Sequence, residues 1–275
     1  MVYYAYKPGP PLSDFVKLFW FYEGYDPPHA MERILPTGTA DLVINLRDGP
    51  LKVYDPWDTG RFRRFGHSLI SGPHSDFFVI DTACQASTMG VHFEPGGAYP
   101  FLPVPASELC GAHVSLETLW GTTAPELRDR LLEAETPEKK FQILEQTLLE
   151  KITRPPALHP AVVFALKEFR KPPHTQKVSD VADRIGLSQR RFIQVFRNAV
   201  GLTPKVFCRI RRFQQVLRRI EAEDRVAWTD AALSCGYFDQ AHFIHDFRAF
   251  SGLNPTAYHS RRGEHPNHVP LPDRE

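Results

Sequence analysis

The run GLSQRRFIQVF at residues 186–196 sets side chains able to bond base edges around a regular apolar stripe. Phe192, Val195, Phe196 and Ala199 recur at i, i+3, i+4 and i+7, which is one face of an α-helix. Arg190, Arg191, Gln194 and Arg197 lie largely off that stripe. In the major groove of DNA, Arg matches the two acceptors of guanine and Gln the donor–acceptor pair of adenine. A solvated surface helix has the same local pattern, so the surroundings must decide between the two.

Constellations for enzymatic chemistry are sparse. Cys84, Cys110, Cys208 and Cys235 are widely spaced with no CxxC pair, which argues for a reduced setting and against a disulfide framework or zinc cluster. There is no GxSxG elbow, Walker loop or HExxH. The tripeptide HFE places His92 and Glu94 on one side of a strand. A metal-dependent cupin enzyme would need two His at HxH spacing, a downstream Glu and a third His, and His67 and His74 stand far upstream. A half-buried strand with a surface His–Glu pair is the favoured reading. The chain is expected to bind and not to catalyse, without metal or cofactor.

The elements that must position these residues divide the chain. Its 275 residues fit two domains with their own cores. Runs at 40–46, 76–82 and 88–97 are rich in Val, Ile and Phe between Gly, Pro and Asp, and predict strands of a small barrel or sandwich. Residues 123–152 have helical spacing, with Leu127, Leu131, Phe141, Leu144 and Leu148 for a core and Thr123 and Thr136 as N-caps. The proline-rich stretch 153–160 predicts a linker, and from 161 onward the pattern is all-helical with Gly or Pro at nearly every junction. The expected division is a β-rich domain over 1–155, a helical domain over 156–262, and a disordered tail over 263–275 with little to bury. No stretch approaches a membrane span and the start lacks signal-peptide zones, so the cytoplasm is the expected compartment. Charge is split: residues 161–262 carry 18 Lys and Arg against 9 Asp and Glu, and the rest 15 against 23. A basic module on an acidic one suits a chain of which one half meets phosphate.

The helical part contains one pattern twice. Ala182 and Gly186 are repeated by Ala232 and Gly236, fifty residues on; Phe192, Phe196, Gly201 and Pro204 by Phe243, Phe247, Gly252 and Pro255, fifty-one on. The slip lies where GLSQ becomes GYFDQ. A small residue four before a glycine, then an amphipathic helix, is the physics of helix-turn-helix: close crossing, a left-handed turn, an outward second helix. With these stretches, above all GYFDQAHF and FRAFSGLNPTAY, residues 160–261 strongly resemble the AraC/XylS family of bacterial transcription regulators.

That resemblance implies two helix-turn-helix units joined by a linking helix near 204–221, entering successive major-groove segments of double-stranded DNA about 34 Å apart. It implies base-reading positions at Arg190, Ile193 and Gln194 in the first unit and Gln240, Ala241 and His245 in the second. Ala241 offers only a methyl group, and His245 stands where Arg is common, so the second unit should demand less of its sequence. Lys205, Arg209, Arg211 and Arg212 flank the junction, facing phosphate or merely solvent. RNA polymerase and a second copy of the chain are the further partners it implies.

ERILPTGTADLVINL and GVHFEPGGAYPFLPVPASEL resemble the cupin-like β-barrel sensor of one AraC-like subgroup, which makes the overall class α+β. Trp20, Tyr22, Trp57 and Phe78 suit either a small-molecule pocket or plain core. Arg33, His92 and Glu94 are its candidate polar groups. Three functions follow: a regulator with a small effector, a regulator using its barrel only for protein contacts, and an Ada-type DNA repair enzyme. The last needs clustered thiolates, which the scattered cysteines do not supply.

Overall fold

In VKLFWFYE, residues 16–23, alternation sends Phe19 and Phe21 to one side of the strand and Trp20 and Tyr22 to the other. The computed structural model describes residues 1–152, 158–171, 177–221, 223, 226–263 and 265–272; most of the expected linker, 153–157, lies outside them. The N-terminal strands are β1 (Val2–Tyr6), β2 (Val16–Glu23), β3 (Met31–Ile34), β4 (Asp41–Asn45), β5 (Lys52–Tyr54), β6 (Phe62–Arg64), β7 (Ser68–Ser71), β8 (Phe78–Asp81), β9 (Ser87–Phe93) and β10 (His113–Ser115). Helices α1 (Leu116–Trp120), α2 (Thr123–Glu133) and α3 (Pro137–Glu150) follow. The Thr136 hydroxyl caps α3 by accepting from the Lys139 N–H at 3.3 Å. The cap expected at Thr123 falls on Thr122 instead, with no side-chain bond.

The helical part comprises α4 (Pro160–Phe169), α5 (Val178–Ile185), α6 (Gln189–Val200), α7 (Pro204–Ile220), α8 (Trp228–Ser234), α9 (Gln240–Ser251) and α10 (Pro255–Arg261), and the chain closes with β11 (His268–Leu271). Two antiparallel sheets result, ordered β1-β2-β9-β4-β7-β10 and β11-β3-β8-β5-β6. The first buries Phe19, Phe21, Leu42 and Met89 against Leu127, Leu131, Leu144 and Leu148 of α2 and α3. Its other face looks across a cavity at Ile34, Phe78 and Ile80 of the second sheet. The far side of that second sheet, with Tyr54, Val79 and Val269, joins the core that holds Phe207, Phe213 and Phe247. The order of layers is helices, sheet, cavity, sheet, helices.

Strand β11 corrects the expectation of a disordered tail. Composition was the wrong guide, because the pairing partner is the exposed edge of β3, with His268 opposite Ile34 and Leu271 opposite Met31. A buried carboxylate fixes it there. Glu32 accepts from Tyr25 Oη, lies 2.8 Å from His268 Nδ1 and 2.7 Å from His29 Nε2. Burial pushes the Glu32 carboxyl up, but the bonds from His268, Tyr25 and His29 outweigh it and hold the group at about 2. A depressed carboxylate stabilises the fold above its unfolded value of 4.5 and loses that contribution as pH falls towards 2. The loss is expected to reach about 3 kcal/mol over that window. Glu32→Gln should flatten that part of the acid-denaturation curve and expose the Val269 amide to hydrogen exchange; an unchanged curve would contradict the assignment.

Candidate DNA-reading helices and the cavity behind them

Each helix-turn-helix unit is built by short-range signals. In the first, Ala182 is buried under α6 and Gly186 takes φ +73°, a left-handed turn that L side chains resist. Ser188 then caps α6 by accepting from the Arg191 N–H, and Asp239 caps α9 by accepting from the His242 N–H. Both helices stop at left-handed glycines, Gly201 and Gly252. Thr203 and Asn254 cap α7 and α10 in the same way. Phe192, Phe196, Phe243 and Phe247 are fully buried, so the opposite faces of α6 and α9 point outward.

On α6, Arg190, Arg191, Gln194 and Arg197 are exposed and Ile193 is half-buried. Arg191 Nη1 donates to Gln194 Oε1 at 3.2 Å, leaving the Gln194 amide hydrogens directed elsewhere. On α9, Gln240, Ala241 and His245 are exposed. Sequence reasoning passed over Phe238, which is 86 % exposed immediately before α9. The residue added where GLSQ becomes GYFDQ was the signal for it.

Between the two units runs a groove lined by Lys205, Arg209, Arg212, His242 and His245, with Asp246 among them. Lys205 is exposed, but Arg209 is committed within the protein: its Nε and Nη2 donate to Asp246 Oδ1 at 3.1 and 2.7 Å, and its guanidinium stacks on Phe250 at 5.1 Å. Arg212 lies over the Tyr237 ring at 5.3 Å. Arg211 is half-buried, and burial, then Arg218 and Arg170, lower its pKa. Of the four cations expected to flank the junction, Lys205 is the one fully turned to solvent.

The N-terminal candidates separate. Trp20 and His92 line the cavity between the sheets, about 130 Å³ in volume. Trp57 and Arg33 do not: they border a surface groove beside Leu271, Trp57 is 74 % exposed, and Arg33 stacks on Phe77 at 5.2 Å. Glu94 also lies elsewhere, because β9 ends at Phe93; it binds Arg170 at 2.7 Å and ties the two halves together. The expected His92–Glu94 pair is thus replaced by His92 Nδ1 bonded to Asp41 Oδ1.

Register explains what faces the cavity. Trp20 stands opposite Gly90, and Gly90 opposite Val43; a Cβ at Gly90 would come within 2.5 Å of the indole, so glycine there lets the ring lie against β9. One row further, His92, Asp41, Ser71 and His113 are direct neighbours across four strands. Burial, then His74 and Arg63, hold His113 neutral; burial brings His74 down to about 4 against the opposing pull of Asp41 and Asp76.

The halves share a tight seam. A Cβ on Gly201 would strike Pro73 and the Ala106 carbonyl, Gly38 sits on Phe207 and Ile210, and Gln214 Nε2 donates to the Pro36 carbonyl at 2.8 Å. Among the described residues no helix is long and apolar enough to cross a membrane.

Residues 4–115 match a family described as a domain of unknown function (DUF6597), and residues 181–261 match one described as a helix-turn-helix domain. No curated protein matches the chain. Among solved structures, ToxT from Vibrio cholerae in a 1.65 Å form is similar at 8 % identity, covering 94 % of this chain and 98 % of that one with a TM-score of 0.47. ToxT from Vibrio cholerae O395 bound to (E)-4-(8-methylnaphthalen-1-yl)but-3-enoic acid is similar at 9 % identity, covering 88 % and 97 %, again with a TM-score of 0.47. With two capped helix-turn-helix units in tandem across one linking helix, in a region matching that family, the chain carries an AraC-type DNA-binding domain behind a two-sheet N-terminal domain.

Proposed function

We propose that this protein is a sequence-specific transcription regulator that reads two successive major-groove segments with α6 and α9 and is modulated by a small ligand between its sheets. One observation carries the modulated reading. The second sheet is a shared wall, with Phe78 and Ile80 facing the cavity while Val79, Tyr54 and Val269 on its other side belong to the DNA-binding core. Close-packed walls pass on strain, so occupancy of the cavity shifts the sheet against which α7 and α9 rest. A barrel that served only for protein contacts would not need buried polar groups turned to that cavity. The protein works in the cytoplasm as a binding protein and not an enzyme, with RNA polymerase and a second copy of the chain as further partners.

In base reading, Arg190 and Gln194 carry the first half-site, and Ile193 and Ala241 supply apolar contacts. Gln240 and His245 carry the second, where a neutral imidazole has one donor and lacks the bidentate grip of Arg. Arg191, Arg197 and Lys205 hold phosphate. Arg190→Ala and Gln194→Ala should each weaken binding to the preferred site by about 1–3 kcal/mol and relax the preference at one position. Lys205→Ala should weaken all sequences alike. Competition binding against single-base variants of the site measures both; a Gln194→Ala protein with the original base preference would remove α6 from the reading role.

A further inference from the structure

The turn before α9 is one residue longer than its counterpart before α6, and the added residue is Phe238. The fold does not use it. The first unit closes with Gly186, Leu187 and the Ser188 cap; the second closes with Gly236 at φ +85°, Tyr237 and the Asp239 cap. Tyr237 does the packing there: it is buried, and its ring lies 5.3 Å from those of Phe243 and His242. A hydrophobic residue just before a helix cap often folds back on the fourth residue of the helix, here Phe243. Phe238 does not, because it is 86 % exposed while Phe243 is fully buried. Among the described residues it is the most exposed of the large hydrophobic side chains, and no ring or cation stacks on it.

Its place says what it meets. Phe238 directly precedes the capping Asp239, and Gln240 and Ala241, both exposed, follow. Residues at the start of a recognition helix reach base edges. The apolar group that the major groove presents there is the C5-methyl of thymine. We propose that Phe238 contacts a thymine methyl in the segment entered by α9. That segment, read loosely by hydrogen bonds, then carries one thymine preference through apolar contact. The ring leaves water when DNA binds and not when the chain folds, so its burial strengthens binding without adding to stability. The turn before α6, one residue shorter, has no matching side chain.

The inference rests on α9 reading DNA, and the test separates the two. The probes are duplexes enriched from a random pool by the full-length protein, remade with deoxyuridine at each thymine position in turn. Uracil pairs as thymine does and lacks only the methyl, so hydrogen bonds and charge stay as they were. The segment under α9 is the one whose selected sequence Gln240→Ala relaxes. At one position in it, deoxyuridine is expected to weaken binding of the wild-type protein about fourfold, the contribution of one buried methyl group. Phe238→Ala should bind the thymine duplex about 3- to 10-fold more weakly and no longer distinguish it from the uracil one. Its thermal unfolding should match that of the wild type, since the ring is exposed. A thymine-to-uracil ratio that survives in Phe238→Ala, or no such ratio at any position under α9, overturns the thymine contact and leaves α9 as a reader. A selected site that Phe238→Ala, Gln240→Ala and His245→Ala all leave unchanged removes α9 from DNA, and the contact with it. Folded protein that enriches no duplex overturns both.

Discussion

Arg209→Ala is expected to lower the stability of the folded chain by about 3–5 kcal/mol, because it strands a buried carboxylate. Asp246 is 2 % exposed at its side chain, and Arg209 gives it two hydrogen bonds through one oxygen. His242 and His245 stand 3.7 Å from the same carboxylate, too far to replace those bonds. The stack on Phe250 adds lost packing to lost charge. Denaturant unfolding would read the loss, and Arg209→Met with Asp246→Leu should recover most of it, since removing both partners leaves no orphan. In sequence, Arg209 belongs to a row of cations for phosphate. Were that its role, the variant would keep its stability and bind every DNA sequence more weakly.

Affinity for duplex DNA is expected to fall by about 10³-fold between 50 and 200 mM salt, as roughly six phosphate contacts require. Arg190, Arg191 and Arg197 on α6, Lys205 on α7 and Arg248 on α9 are exposed, on a region with twice as many basic as acidic residues. The acidic N-terminal half lies behind the seam, and its like charge is expected to disfavour phosphate on that face. The full chain is the right material. A fragment of residues 161–262 would uncover Phe207 and Ile210 where Gly38 now covers them, and would lose Val269 from its core. A fluorescence-anisotropy titration at several salt concentrations gives the slope, and a flat slope would contradict phosphate-driven binding.

How far the sequence could be read depends on the distance over which each feature is determined. The stripe of Phe192 and Phe196 and the turn at Gly186 are settled within a few residues, and their recurrence about fifty residues on made the tandem units legible; the caps at Ser188 and Asp239 are as local but were not read from the sequence. Residues whose setting depends on distant partners were not. Arg209 meets Asp246 thirty-seven residues away, and Glu94 meets Arg170 from another domain. Alternation in β2 put Trp20 and Tyr22 on one face but could not say which layer that face would meet. Trp57 and Arg33 are close in sequence to cavity strands and still lie outside, because β3 turns Arg33 towards Phe77 and the DNA-binding core. The tail has almost no apolar content of its own; its strand is specified by the edge of β3 and by Glu32.

The central claim, that α6 and α9 of one chain read two segments of duplex DNA in a defined sequence, is tested most directly by selection from random duplexes with the purified full-length protein. The expected outcome is one enriched site with two segments about 10–10.5 base pairs apart from centre to centre, sharp under α6 and degenerate under α9. The same selection with Gln194→Ala should blur the sharp segment and leave the other as it was. No enrichment from folded protein, or a motif that Gln194→Ala leaves unchanged, would contradict the claim.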